Sequence, residues 1–338
     1  MIDLLVAGGG PAGLATAIHG ARAGLEVVVV ERRPAPVDKA CGEGLMPHTL
    51  RQLQGLGVDP AGRPFVGITY SDGRCRVTGR FRGGAGLGVR RTALHVALWE
   101  AASTAGIHIE TGDVGTVYQD GESVRANGFR ARYLAAADGL HSPIRASLGL
   151  AGCRSGPRRW GIRRHYAVAP WSDCVEVYWS DDGEAYVTPV AEDCVGVAIL
   201  TARRGGFDHH LESFPALRER VTAHAHGPER AAGPLRQSVR QRVAGRVLLV
   251  GDAAGYVDAL TGEGLGIAFG AAELLVDCIA ADRPADYERR WRSMSRRYRM
   301  LTAGLVRATA FPPVRSRLVP AAASVPAVFA RAVNLLAE

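Results

Sequence analysis

Apolar positions run in three rhythms along the chain. At the N-terminus a compact apolar strand (Asp3 to Ala7) gives way to helical spacing from Pro11 to Ala23, then to a second apolar strand from Glu26 to Val30. That order predicts a β-α-β unit, with Gly24 at the left-handed helix stop. Helical spacing returns at Pro47 to Leu56 and Arg91 to Ala105. Phe65 to Tyr70 and Arg74 to Thr78 flank Ser71-Asp72-Gly73, a hairpin signal, and Gly79 to Gly88 reads as a flexible link. A strand over Ile107 to Glu110, a hairpin through Gln119-Asp120-Gly121 and a strand over Tyr133 to Ala137 follow. From Trp160 to Leu200 the pattern alternates or runs apolar in four short stretches, Ile162 to Val168, Cys174 to Trp179, Ala185 to Val190 and Cys194 to Leu200. Turn clusters such as Asp181-Asp182-Gly183 separate them, which predicts an antiparallel sheet rather than more βαβ units. Phe207 to Ala225 reads as one helix, and Gln237 to Val243 leads back to a buried strand at Val247 to Val250.

Composition narrows the class. With 338 residues, 47% apolar and 22% charged, the chain has the balance of a globular protein able to bury a large core. The net charge of +8 does not point to nucleic acid: Lys39 is the single lysine among 41 basic residues, and the arginines are scattered. The six cysteines (Cys41, Cys75, Cys153, Cys174, Cys194, Cys278) form no C-x-x-C pair, so free thiols in a reducing cytoplasm are expected. His209, His210, His224 and His226 lack metal-ligand neighbours, and no metal site is expected. Ile2 to Val6 runs straight into Gly8 with no signal peptide before it, and no apolar run approaches the roughly 20 residues of a membrane span. The tail from Leu301 to Glu338 is apolar but broken by Pro312, Pro313, Pro320 and Pro326. It reads either as short helices packed on the core or as a cap making weak contact with a membrane surface.

Three segments carry the chemistry. Gly8-x-Gly10-Pro11-Ala12-Gly13 follows a strand, opens a helix and is answered by Glu31 at the end of the second strand. The glycines permit a tight turn and close approach of a pyrophosphate to the positive helix end; Glu31 can hold both ribose hydroxyls of an adenosine. Asp138-Gly139 follows the apolar strand Tyr133 to Ala137, and Gly251-Asp252 follows the strand Val247 to Val250, ahead of a long apolar helix opening near Gly264. An NAD dehydrogenase needs neither acidic turn, whereas a flavoprotein needs an acidic side chain for ribityl hydroxyls. FAD gripped from both ends of the chain is the simplest account. Taken singly, Asp138 can merely start a turn and Asp252 can cap a helix.

In this order and spacing the segments resemble the class A flavoprotein monooxygenases (aromatic hydroxylases) and their relatives the geranylgeranyl reductases, across roughly residues 1 to 280. The resemblance implies that Gly8, Gly10, Gly13 and Glu31, with Arg32 beside them, form the adenosine-diphosphate site. It implies that Arg91 contacts FAD, that Val114 offers a backbone contact to adenine, and that Asp138 and Gly139 lie between the pyrophosphate and the path of NAD(P)H. By the same likeness Asp252 is the ribityl ligand, and Gly264 and Leu265 present helix N-terminal amides to the flavin pyrimidine edge. Cys41-Gly42-Glu43-Gly44 would lie over the isoalloxazine ring, with Cys41 or Glu43 as candidate proton donors or as ordinary loop residues. Gly44 to Pro47 matches the hydroxylases; Cys41-Gly42 and Thr261 to Gly264 match the prenyl reductases. Ala259 follows Asp258 where most relatives have proline, and of the reductases' aromatic sheet signature only Tyr186-Val187-Thr188-Pro189 is present. His165, Tyr166, Tyr178, Trp179 and Tyr186 are candidate substrate-pocket residues, with packing in the sheet core as the alternative.

The expected fold is therefore α/β: a Rossmann-like FAD-binding domain with an inserted antiparallel β-sheet substrate domain and a helical C-terminal tail. The expected division is 1–60, 80–150 and 244–285 for the cofactor, 61–79 and 151–243 for the substrate, and 286–338 for the tail. The expected reaction is NAD(P)H- and O2-dependent hydroxylation or epoxidation of a hydrophobic small molecule through a flavin C4a-hydroperoxide. C=C reduction of a prenyl-like lipid and non-catalytic flavin binding are the alternatives.

Overall fold

The computed structural model describes residues 1–153 and 156–337; two positions of the expected substrate region and the last residue of the tail lie outside them. The first sheet is built around Ile2–Ala7, which pairs in parallel with Val27–Glu31 on one side and Phe129–Ala136 on the other. His108–Thr111 extends it beyond Val27–Glu31, and Val247–Leu249 extends it beyond Phe129–Ala136, both parallel. The inner runs Leu4–Ala7, Val27–Val30, Tyr133–Ala136 and Val247–Leu249 are apolar because both faces of the sheet are buried there. Leu4, Leu5, Val29, Leu134, Ala135, Leu248 and Leu249 are fully buried. The helices Pro11–Arg22, Arg91–Thr104 and Gly264–Ala280 pack against this core through Leu14, Leu98 and Leu275. A strand from residue 249 thus completes a sheet begun at residue 2.

The second sheet orders its strands Arg230–Ala232, Trp160–Tyr166, Cys194–Thr201, Gly183–Ala191, Val175–Trp179, Gly67–Ser71 and Arg76–Arg80. It is antiparallel except where Val175–Trp179 meets Gly67–Ser71. Two-residue alternation gives it two different faces. Arg163, His165, Val177, Trp179, Glu184 and Tyr186 point to one side; Ile162, Tyr166, Tyr178 and Val197 point to the other, against Phe207, Leu211 and Leu217.

Two elements differ from expectation. Residues 207–225 form two short helices, Phe207–Leu211 and Pro215–Val221, because Pro215 cannot continue a helix and instead starts a new one. Within the glycine-dense link, Gly86–Gly88 is a buried strand between Gly44–Leu45 and Arg63–Phe65. A Cβ at Gly88 would stand 1.8 Å from the Pro189 carbonyl oxygen, so the glycines there serve close packing rather than flexibility. This small sheet stitches the cofactor-side loop to the second sheet. The tail forms Asp286–Thr309, Pro312–Ser324 and Pro326–Ala337, lying over the outer end of the second sheet through Phe329, Val333, Val306 and Val319.

Candidate functional site

The N-terminal turn is shaped by contact. Gly8 has φ +108°, and a Cβ on Gly13 would lie 1.8 Å from the Gly8 carbonyl oxygen, so helix and strand meet at a distance only glycine allows. Glu31 closes the turn: its Oε2 accepts the Gly9 amide at 2.8 Å and its Oε1 accepts Arg33 Nε at 3.1 Å. Burial alone would raise this carboxyl, but the hydrogen bonds and charge of Arg33, with the Gly9 amide, hold it below its ordinary range. A carboxylate has lone pairs left for ribose hydroxyls. Arg32, expected beside it, is exposed; Arg33 takes the partner role. Val114 is buried in the turn after Gly112, whose amide bonds the Glu31 carbonyl at 3.0 Å.

The other two segments come to the same cleft. Gly251 packs on the fingerprint helix, with Ala12 Cβ 2.6 Å from where its own Cβ would be. Asp252 is open to the cleft; the surrounding walls push its carboxyl up, while Lys39, Arg91 and Arg145 oppose the shift. Asp138 Oδ2 accepts the Ile144 amide at 3.1 Å, at the start of the helix Pro143–Ser147, and its Oδ1 has no partner among the described residues. The turn-starting role and a free acceptor thus coexist in one side chain.

Arg91 provides the test of whether a pyrophosphate fits. Its guanidinium is buried, lies beside Gly10, and its Nη1 has no hydrogen-bond partner among the described residues. Burial lowers its pKa, with Cys41 and Asp252 pulling the other way. A buried guanidinium left unpaired at a helix-terminal glycine turn is complementary to a diphosphate. The residues present fit FAD.

Sequence reading missed three contributors. His95 reaches back from the helix Arg91–Thr104 and donates its Nε2 hydrogen to the Gly9 carbonyl (2.9 Å), bracing the turn. Lys39 extends toward Gly139, its Nζ 3.2 Å from the position of a Cβ there, and is the strongest opposing charge at Asp252. Its being the single lysine was the available signal. The third is the set that holds Glu43. This residue has φ +60° and is buried; Oε1 accepts the Arg91 amide at 2.8 Å, and Oε2 lies 2.7 Å from His165 Nε2. Arg163 can only donate, and its Nη1 lies 3.0 Å from His165 Nδ1, so the imidazole hydrogen sits on Nε2 and is given to Glu43. Arg163 also pairs with Asp38. Both carboxylate oxygens of Glu43 are therefore committed inward, binding the loop to the second sheet.

Cys41 remains at the cleft. The Glu43 amide donates to its Sγ at 3.4 Å, and burial raises the thiol pKa against the pull of Arg91. Gly264 starts the long helix with the Tyr256 ring against it, and Leu265 packs on the first core. Asp252, Tyr256, Gly264, Ile267, Trp291 and Tyr298 line a small cavity at that helix start. The three candidate pocket tyrosines are not brought together. Strand alternation puts Tyr166 and Tyr178 in the packed core beneath the short helices, whereas Tyr186 faces the site loop and donates to the Leu260 carbonyl at 2.8 Å.

Known proteins resemble this chain in sequence and in fold. Menaquinone reductase from Mycobacterium tuberculosis is 29% identical over 318 residues, covering 81% of this chain and 76% of that protein. Digeranylgeranylglycerophospholipid reductase 1 from Methanothermobacter thermautotrophicus is 29% identical over 309 residues (78% of this chain, 73% of that one). Aurachin C monooxygenase/isomerase from Stigmatella aurantiaca is 27% identical over 328 residues (84% and 82%). In fold, the flavin-dependent brominase Bmp2 triple mutant superposes with a TM-score of 0.83 at 17% identity, over 100% of this chain and 95% of that one. Residues 1–282 match the family described as FAD binding domain, and the chain belongs to that family as an FAD-dependent oxidoreductase.

Proposed function

We propose that this flavoenzyme reduces a carbon–carbon double bond of a lipophilic, isoprenoid-like substrate, with NAD(P)H as transient reductant docking near Asp138 and Gly139. Gly8, Gly10, Pro11, Ala12, Gly13 and Glu31 hold the adenosine diphosphate, with Val114 beside the adenine. Arg91 would pair with the pyrophosphate, Asp252 would take the ribityl hydroxyls, and the amides of Gly264 and Leu265 would be available to the flavin. FAD, when bound, supplies hydride chemistry at one carbon of the double bond.

The observation that carries the reading is the Cys41 thiol. The second carbon needs a proton, and burial keeps this group protonated at neutral pH. Its sulfur accepts the Glu43 amide, which fixes the thiol on the loop at the cleft. Glu43, fixed by His165 and the Arg91 amide, positions the loop and is not the donor. Tyr186 and Tyr298 donate to the Leu260 and Asp258 carbonyls and so hold the loop that follows Asp252. The likeness to menaquinone reductase and the archaeal lipid reductase supports the same chemistry.

Oxygenation is the second reading, supported by the likeness to aurachin C monooxygenase and the Gly44 to Pro47 helix start. Incubation of the FAD-loaded protein with NADPH and a prenylated quinone, followed by mass analysis, separates the two. Gain of two hydrogens under argon that persists after the quinone head group is reoxidised supports reduction of the double bond; gain of one oxygen atom, only in air, replaces it with oxygenation. Cys41→Ala should retain FAD and lose roughly 100-fold or more in turnover, and unchanged turnover would remove Cys41 from the mechanism.

A further inference from the structure

The outer face of the C-terminal helices differs from the rest of the surface. Eight of the eleven large hydrophobic side chains exposed among the described residues lie between Met294 and Leu335. Phe311 is 60% exposed and Val328 64%, in a region where single exposed apolar residues would be unremarkable but a cluster is not. The same stretch is one-sided in charge: residues 289 to 337 hold ten arginines and no aspartate or glutamate.

The two features interleave at helical spacing. In Pro312–Ser324, Val314, Arg317 and Ala321 share an outward face; in Pro326–Ala337, Val328, Arg331 and Leu335 do so; near the end of Asp286–Thr309, Met300, Gly304 and Arg307 do so. The inner faces carry Thr302, Val306, Val319, Phe329 and Val333, which are buried on the second sheet. Each helix is thus apolar inside and apolar-with-arginine outside. Arginines that extend past an apolar layer suit a boundary between hydrocarbon and phosphate.

No single helix is long and apolar enough to cross a membrane, and the two last helices are bent by 106°. A 13-residue helix is about 20 Å long against a hydrocarbon core of about 30 Å, so these helices suit the interface plane and not a span. We propose that this face docks on an anionic lipid bilayer. The charge complementarity selects the occupant: Arg289, Arg290 and Arg292 pair with Asp286, Asp277 and Glu288, but the outward Arg307, Arg317 and Arg331 have no acidic partner among the described residues, and an apolar self-association face gains nothing from them. The docked wall is also the inner wall of the site: the Tyr298 hydroxyl donates to the Asp258 carbonyl at 3.1 Å, and Thr261 and Thr302 share a hydrogen bond at 2.8 Å. A lipophilic molecule leaving the bilayer would meet the cleft directly. The inference holds for either reaction proposed above.

The test uses the full FAD-loaded chain and flotation with vesicles of phosphatidylcholine alone or mixed with phosphatidylglycerol. Binding is expected to the mixed vesicles and to fall steeply with salt. Arg307→Gln/Arg317→Gln/Arg331→Gln should weaken it on the order of 100-fold, and Val314→Asp/Val328→Asp should abolish it. Flavin content and circular dichroism check that both variants fold; the arginine set, on exposed positions, carries the test alone if the aspartate set does not. Equal binding to both vesicle types overturns the proposal, as does binding indifferent to the arginine set. So does absence of vesicle binding by a chain that light scattering shows to self-associate through this face.

Discussion

At the scale of single residues, the site depends on buried charges with few partners. Arg91→Ala removes the unpaired guanidinium beside Gly10 and should weaken FAD binding by roughly 10- to 100-fold, read by quenching of flavin fluorescence. Lys39→Ala should weaken it less, since this side chain reaches the cleft from an exposed loop position. His95 yields a pH prediction. Its folded pKa lies below the ordinary 6.5, chiefly through burial and then Arg91. A histidine depressed in this way leaves stability intact above about pH 6.5 and costs it as pH falls, because the unfolded chain takes up the proton first. Urea midpoints should therefore drop from pH 6.5 toward 5, with a smaller drop in His95→Gln, which can still donate to Gly9; His19 and His210 are lowered too and supply the remaining slope. An unaltered slope in the variant would count against the brace. Glu31, Arg91 and the glycines were legible in the sequence because a local pattern surrounds them. Lys39 and His95 were not, since each reaches the site from an element whose own pattern records only helix or loop; His165 was legible as a candidate pocket residue, but its bond to Glu43, which joins two distant segments, was not.

At the scale of elements, the second sheet shows how packing is delegated to the tail. Asn334 imitates a strand: its Oδ1 accepts the Arg82 amide at 2.7 Å and its Nδ2 donates to the Arg80 carbonyl at 2.8 Å, covering the edge of Arg76–Arg80. Asn334→Ala should cost about 1 to 3 kcal/mol and speed amide exchange in residues 76–82 ahead of the rest of the sheet. The Glu43 loop behaves differently. Glu43→Ala strands Arg163 and His165 in a buried junction and should destabilise by roughly 3 to 5 kcal/mol in urea unfolding. Period-two and period-3.6 patterns made most of these elements readable in advance. They failed where backbone rules override pattern, as at Pro215, and where glycines build a strand with no side chains to announce it, as at Gly86 and Gly88.

At the scale of the molecule, the fold places a hydrophobic wall between the cofactor cleft and the outer helical face, and the docking and turnover predictions meet there. A mixed-vesicle preparation should raise the apparent affinity for a membrane-dissolved prenylated quinone and leave NADPH affinity unchanged; Val314→Asp/Val328→Asp should abolish that gain. The order of the strands has a further consequence in time. Phe129–Ala136 waits for Val247–Leu249, and the acidic turn at Asp252 follows directly after. A ribosome adding about 5 to 20 residues per second takes roughly 5 to 20 seconds to deliver that partner. Throughout this interval the nascent chain carries an open apolar strand edge and half a nucleotide cradle. Capture of the cofactor is therefore a late event in biosynthesis, and a chain cut short before residue 247 would present an adhesive edge rather than a smaller flavoprotein.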